Sequence, residues 1–319
     1  MPTTGFCFTN LTNFVFISGN NYLVFYSDAS NQGVAPPVSL GYSYHARLIT
    51  DVGKYGPGVV STQYKMAKDE IRFEELDETI IPEKSINDGK IIKLAASLFI
   101  SVYSQIVFPT TGNGVIMAAQ NIGSSTAEFY LTGVAPKSGF ESEVTIAVTE
   151  AADVNIYDNE NNLLVNQNLN KDQVYNFRIS NDVTGYKVSS NVPAAVIAGT
   201  TCADLGTDCH MIKSYLPSKD RLGQKHIVPQ IPARSSASAP STIRVVATEP
   251  GTAVRTFDST VNGVVERSTI SAGQFYDHSM TDNKPTVIEC SKKCLVSLLV
   301  QPFTPTAPYP IGTGTVRIF

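Results

Sequence analysis

The chain has 319 residues, of which 42% are hydrophobic and 16% charged, with a formal net charge of -4 and a pI near 5.6. That length allows two or three domains with real cores, and that balance excludes a disordered chain. The weak negative charge excludes a nucleic-acid backbone as the main partner, and the sequence lacks the roughly 18 consecutive apolar residues a spanning helix requires.

Met1–Gly5 carries no basic region and no apolar stretch ahead of a cleavage site, which leaves either a cytosolic chain or a mature form with an added Met. The charge deficit is filled by Ser, Thr, Asn, Val and Tyr, residues that fit a half-buried pleated surface. Strand-like runs follow almost from end to end, over 13–17, 22–26, 98–107, 114–118, 126–131, 144–148, 192–198, 242–247 and 294–300. Turn signals separate them, among them Gly19-Asn20-Asn21, Asn31-Gln32-Gly33 and Thr111-Gly112-Asn113-Gly114. The stretch 65–76 (KMAKDEIRFEEL) is the one with helix-like charge spacing, and it reads equally as a polar strand or loop. Asn10-Leu11-Thr12 is an N-glycosylation sequon at Asn10.

Further along, the chain repeats itself after about one hundred residues, a unit too long for a solenoid repeat. Ile146-Ala147-Val148-Thr149-Glu150 returns as Val245-Val246-Ala247-Thr248-Glu249, and Val154-Asn155-Ile156-Tyr157-Asp158 as Val254-Arg255-Thr256-Phe257-Asp258. Gln173-Val174-Tyr175 returns as Gln274-Phe275-Tyr276. Each copy closes on a short apolar strand, 194–198 and 295–299, and the hairpin candidate Asn262-Gly263 has its counterpart in 159–162. A weaker third copy is visible where 92–102 resembles 186–196, whereas 20–91 does not follow the pattern. The stretch 235–242 (SSASAPST) reads as a loop or linker, and 302–310 (PFTPTAPYP) as extended chain before a last strand over 315–319.

The expected fold is therefore all-β, with tandem antiparallel sandwich-like or barrel-like units made by internal duplication. The expected division is a divergent unit over 1–110, a unit over 111–234 and a repeated unit with a C-terminal strand over 235–319.

The five cysteines form two close pairs, Cys202 with Cys209 and Cys290 with Cys294, plus Cys7 alone. Two disulfides and an extracellular location are the expectation; five buried free thiols are the alternative. The richest polar cluster is Cys202-Ala203-Asp204-Leu205-Gly206-Thr207-Asp208-Cys209-His210. Two thiolates, an imidazole and two carboxylates suit zinc or a nucleophile site, but structural zinc needs four convergent soft ligands. A disulfide-closed loop presenting Asp204, Asp208 and His210 for binding is the simpler reading, with no metal and no cofactor. The four His residues are dispersed, no Gly-x-Ser-x-Gly elbow occurs, and no phosphate-binding loop follows Gly112-Asn113-Gly114. The acidic residues Asp69, Glu70, Glu74, Glu75 and Asp77 read as a solvated face.

A family resemblance runs through the second half. Val192-Pro193-Ala194-Ala195-Val196-Ile197-Ala198-Gly199, then Cys202 and Cys209-His210, Tyr215-Leu216-Pro217 with Gly223, Ile227-Val228-Pro229 with Arg234, Val245-Val246-Ala247-Thr248-Glu249 with Thr252, and Ala272-Gly273-Gln274-Phe275 carry it. Together they resemble the N-terminal region of the IgG-Fc-binding protein family of mucus and extracellular-matrix proteins. Leu222 stands where that pattern has Trp, and the Cys290/Cys294 pair stands where it more often has a Pro-containing turn. The resemblance implies a secreted, β-rich, non-catalytic module that binds extracellular proteins or glycoproteins, including its own copies. A cell-surface adhesion or receptor ectodomain is the alternative, and a carboxylate-dependent glycosidase a more distant one.

Overall fold

The computed structural model describes side chains over 84–87, 127–203, 211–229, 241–257, 267–280 and 285–300, and backbone pairing for the further strands named below. The first group of strands is β1 (Asn10–Phe14), β2 (Asn20–Ser27), β3 (Tyr44–Asp51), β4 (Val60–Met66), β5 (Ile71–Leu76), β6 (Ser85–Asp88), β7 (Ile91–Ala96), β8 (Ile100–Val107) and β9 (Gly114–Ala118). The second is β10 (Ala127–Tyr130), β11 (Ser142–Val148), β12 (Ala152–Tyr157), β13 (Leu163–Leu169), β14 (Gln173–Ile179), β15 (Lys187–Ser190), β16 (Ala194–Asp204) and β17 (Cys209–Leu216). The third is β18 (Lys225–Val228), β19 (Ser241–Ala247), β20 (Thr252–Asp258), β21 (Val264–Ile270), β22 (Phe275–Met280), β23 (Thr286–Cys290), β24 (Cys294–Leu299) and β25 (Thr315–Ile318). The segment 65–76, ambiguous in sequence, contributes the end of β4 and all of β5.

These strands pair antiparallel in six sheets that repeat one plan three times. One sheet of each unit runs β1-β7-β3-β4, β10-β15-β12-β13 and β18-β23-β20-β21; the other runs β5-β2-β8-β9, β14-β11-β16-β17 and β22-β19-β24-β25, the second of these extended by β6, which pairs along the free edge of β14. Among the described strands neither sheet of a unit closes on itself, so the arrangement is sandwich-like and not a barrel. β9 pairs with β8 although the expected boundary near 110 precedes it, and β18 pairs with β23 although the boundary near 234 follows it. The region 20–91, which shows little of the repeat in sequence, follows the same strand order as the other two units.

Alternation explains the sandwich. In β12 the residues alternate buried and exposed, so Ala152, Val154 and Ile156 face inward. They meet Val144, Ile146, Val148, Val196 and Ala198 from the other sheet in one core. The third unit repeats this with Val254 and Ile288 against Val245, Ala247, Val296 and Leu298. β11 departs from alternation, because all seven of its residues are buried. A strand buried on both faces lies under a second layer.

The duplication extends to turn chemistry. Asp172 and Gly273 occupy the same turn with φ of 65° and 79°, and the following glutamine closes it in both copies. Gln173 Oε1 accepts from Asn170 N at 2.7 Å, and Gln274 Oε1 accepts from Ser271 N at 3.0 Å. Asn191 Oδ1 accepts from Asp153 N at 2.8 Å just as Ser291 Oγ accepts from Ala253 N at 2.9 Å. Even the bulges coincide, between Ile156 and Tyr157 in one copy and Thr256 and Phe257 in the other. The hairpin at Asn262-Gly263 lies outside the described residues; its counterpart is a turn in which Asp158 Oδ1 accepts from Glu160 N and Asn162 N at 2.9 and 2.8 Å. The hydrogen bond from the Asn162 side chain, with smaller help from the Asn162 and Glu160 backbone donors, holds the Asp158 carboxyl below its ordinary value against the opposing effect of desolvation.

Candidate functional site

The cysteine-rich cluster of the sequence forms the far end of the β16–β17 hairpin. Asp204 pairs with Cys209 and Ala203 with His210, after a register shift between Thr200 and Ala203. Cys202 is fully buried and disulfide-bonded. The tip with Asp208, and the side chains of Asp204, Cys209 and His210, lie outside the described residues, as do Cys7 and the side chain of Asn10. The hairpin base is anchored: Lys137 N donates to Cys202 O at 2.9 Å, Pro136 bridges to Ala203, and Ala203 and Ile212 pack with Val134 and Leu299. Leu299 belongs to the third unit, so the hairpin base also touches the neighbouring unit.

Below the hairpin, one row of residues crosses four strands. Pairing places Arg178, Glu143, Gly199 and Lys213 side by side on β14, β11, β16 and β17. Gly199 carries no side chain, so Lys213 reaches over it to the Glu143 carboxylate, which Arg178 Nε meets from the other side at 3.1 Å. The glycine is required: its φ is +154° and a Cβ there would stand 1.8 Å from Ile212 O. Lys213 and Glu143 are both buried. Burial pushes the Lys213 ammonium below its ordinary pKa, and the charge and hydrogen bond of Glu143 push back. This is a satisfied internal ion pair with a surface-facing third member, and nothing in it activates a nucleophile.

The outward face of β19, the third-unit counterpart of β11, is covered at the joint between the second and third units. On β19, Ile243, Val245 and Ala247 face their own core, while Arg244 and Val246 point the other way; Val246 and Leu295 complete the core of the second unit. Arg244 donates from Nε and one terminal nitrogen to both oxygens of Asp277 at 2.8 Å. Its other terminal nitrogen donates to Gly133 O at 2.8 Å, Thr184 Oγ1 at 3.1 Å and Asp182 Oδ2 at 3.2 Å, all in the second unit. The guanidinium also lies 4.3 Å from the centroid of the Phe275 ring. Burial works against the Arg244 charge, but Asp277 first and Asp182 second hold its pKa above the ordinary value. Thr132 and Ser297 share a buried hydrogen bond of 2.9 Å across the same joint. Gly185 and Gly273, with φ of +82° and +79°, bring two turns together so closely that a Cβ on Gly185 would stand 1.8 Å from Gly273 O. In the second unit the pair equivalent to Arg244 and Asp277 is Thr145 and Asn176, hydrogen-bonded at 3.2 Å. The repeat preserves a polar cross-strand pair and changes its reach.

Cys290 and Cys294 form a disulfide that locks the corner from β23 to β24. The equivalent corner of the second unit has Ser190 and Ala194 instead. His226 Nε2 lies 3.6 Å from Cys294 Sγ in a buried site. Burial lowers the His226 pKa from 6.5, with a smaller opposing contribution from the Gly223 backbone. A group with a depressed folded-state pKa contributes stability that is complete above its unfolded value of 6.5 and lost as pH falls through the folded value. Thermal unfolding from about pH 7 to about pH 5 should therefore show a smaller loss in His226→Gln than in the natural chain. Equal losses would mean that His226 is not held neutral.

Among the described residues, no group of three His, Cys, Asp or Glu side chains is arranged to hold a metal ion, and no helix is long and apolar enough to cross a membrane. A family model described as IgGFc binding protein matches residues 106–307. No curated protein matches the chain. Among solved structures, a crystal structure of a tetra-tandem repeat in the extending region of a large adhesion protein aligns at 14% identity, over 97% of this chain and 73% of that one, with a TM-score of 0.14. A score that low carries no structural argument.

Proposed function

The chain belongs to the IgGFc-binding protein family, and from that premise we propose that it is an extracellular, non-catalytic module that binds proteins or glycoproteins through loops held on a rigid tandem of β-sandwiches. The observation that carries this reading is the joint between the second and third units. Linked domains normally move relative to one another unless their contact is large and apolar. Here Val246 and Leu295 enter the neighbour's core, and Arg244 ties both units together. A fixed spacing of that kind suits presentation of several recognition loops at once, and loops on a rigid scaffold are where binding residues concentrate.

The β16–β17 hairpin is the recognition element in this reading, with Cys202 joined to Cys209 and with Asp204, Asp208 and His210 at its tip. Asn10 is a glycan site in the same reading, and three units ending near β9, β17 and β25 are its modules. Antibody Fc, mucin-type glycoproteins and matrix proteins are the partner classes to try.

The test is binding to immobilised Fc, mucin and matrix proteins by the natural chain and by Cys202→Ser. Loss of binding by about tenfold or more, with the melting profile of the remaining strands retained, supports the hairpin as the contact. Hydrolysis of a glycan, peptide or ester substrate that disappears with a single carboxylate or His replacement would overturn the reading.

A further inference from the structure

The outward face of the β18-β23-β20-β21 sheet in the third unit departs from the copy it repeats. Val228, Val254, Thr256 and Ile288 are buried in this sheet, so the residues that alternate with them point to solvent. Register sets Lys225, Glu289, Arg255 and Arg267 side by side across the four strands. Three cations thus share a row with one carboxylate, in a chain whose net charge is -4. Lys225 Nζ engages that carboxylate at 2.7 Å. Arg255 and Arg267 are exposed and directly opposite each other, and neither makes an ion pair or side-chain hydrogen bond among the described residues. Like charges directly opposite destabilise an antiparallel pair, so the fold gains nothing from this placement.

The second unit fills the same positions with Glu128, Ser189, Asn155 and Asn166. That row is satisfied within the chain: Asn166 Nδ2 donates to Asn155 Oδ1 at 2.6 Å, and Lys219 Nζ lies 3.5 Å from Glu128 Oε2. Two residues further along the strands, the second unit has Tyr130, Lys187 and Tyr157 where the third has Ile227, Val287 and Phe257. Tyr130 is buried, and Lys187 Nζ lies 4.3 Å from the Tyr157 ring centroid while donating to Asn161 Oδ1 at 2.7 Å. Ile227, in contrast, is 63% exposed, with Val287 and Phe257 half-buried beside it. A closed polar face in one copy is therefore an open face in the other, where an unpaired cationic row runs next to an apolar row.

We propose that this open face binds an acidic peptide segment of a partner protein, extended along the strand direction with a carboxylate over Arg255 and Arg267 and an apolar side chain over the neighbouring row. The two rows are two residues apart on each strand, roughly 7 Å, which is also the separation of side chains i and i+2 on one face of an extended peptide. Paired guanidinium groups suit carboxylates, which they hold through charge-assisted and bidentate hydrogen bonds. Charge selects an acidic occupant, and the apolar row selects a peptide over a sulfated glycan, which has no aliphatic side chain to place there. A second copy of this face is excluded as occupant because it would set arginine against arginine. The surface is separate from the β16–β17 hairpin, so the proposal stands or falls independently of it.

The experiment is fluorescence anisotropy of a labelled peptide of repeating Glu-Ser-Leu-Ser, whose Glu and Leu share one face when extended, titrated with the whole chain. Saturable binding that weakens as salt rises is expected. Arg255→Asn combined with Arg267→Asn should weaken it by about tenfold or more. Those replacements carry the second unit's own residues, so the melting temperature should not fall. Ile227→Ser should weaken binding as well, and a peptide with Ser in place of Leu should bind less tightly than the first. Absence of saturable binding, or binding indifferent to the double variant, overturns the proposal. Equal affinity for the peptide lacking Leu overturns it too, as does tighter binding of a sulfated glycan fragment at the same arginines. A lower melting temperature in the double variant would make the arginines structural and would also overturn it.

Discussion

Replacing Glu143 by alanine should destabilise the chain by about 3–5 kcal/mol, the range found when one partner of a buried ion pair is removed. The reason is Lys213. Its ammonium reaches across Gly199 to a single carboxylate in a buried row, and without that carboxylate the charge has no compensation. Arg178 is less affected, because it is partly open to solvent. The deficit should also depend on pH in a defined direction. Lys213 already titrates below its ordinary value of 10.5 because of burial, and Glu143 is the group that opposes this. In Glu143→Ala the folded-state pKa falls further, so the deficit is full below that pKa and shrinks as pH rises toward the unfolded value. The double variant Glu143→Leu with Lys213→Met should recover most of the loss, since apolar residues of similar volume replace buried ion pairs with little cost. Urea midpoints for the three proteins at neutral and alkaline pH provide the check. A single-variant loss under about 1 kcal/mol would show that the row is hydrated and weak.

Gly185→Ala should uncouple the second and third units. A Cβ at that position would stand 1.8 Å from Gly273 O and 2.8 Å from its carbonyl carbon, and the backbone is in the left-handed region at φ +82°. An alanine pays roughly 1–2 kcal/mol for that φ alone, and the steric conflict is with backbone, which has no rotamer to change. The joint must therefore open, separating Arg244 from Gly133, Asp182 and Thr184 and exposing Val246 and Leu295. Calorimetry should resolve two transitions in the variant and one coupled transition of these units in the natural chain, and small-angle scattering should report a longer maximum dimension for the variant. Retention of a single transition and unchanged dimensions would mean that the glycine contact does not hold the joint.

Much of the architecture is local and therefore legible in the residues themselves. The period-2 alternation of 152–157 specifies a strand with one buried face. The Gln173/Gln274 turns and the strands that precede them are copied with their side chains, so the duplication is readable by matching residues. The close spacing of Cys290 and Cys294 marks a corner that a disulfide then locks. The first unit kept the strand order but exchanged its residues, which is why 20–91 shows the plan in its pairing and not in its sequence.

The joint was not legible, and the cause is distance along the chain. Arg244 reads as an ordinary polar residue between Ile243 and Val245, and nothing near it announces Gly133, Asp182 or Thr184. Its burial arises because a sheet's outward face is covered by loops from a unit about one hundred residues earlier. Gly199 and Lys213 are the same case at shorter range: their meaning depends on Glu143 being the next strand but one in the sheet, an adjacency set by sheet order. Strand-forming tendency is a property of neighbouring residues, so the sequence by itself determined the elements and their repetition. Which face of each sheet is covered, and which charge is buried against which, depends on packing between distant segments, and only the tertiary structure decided it.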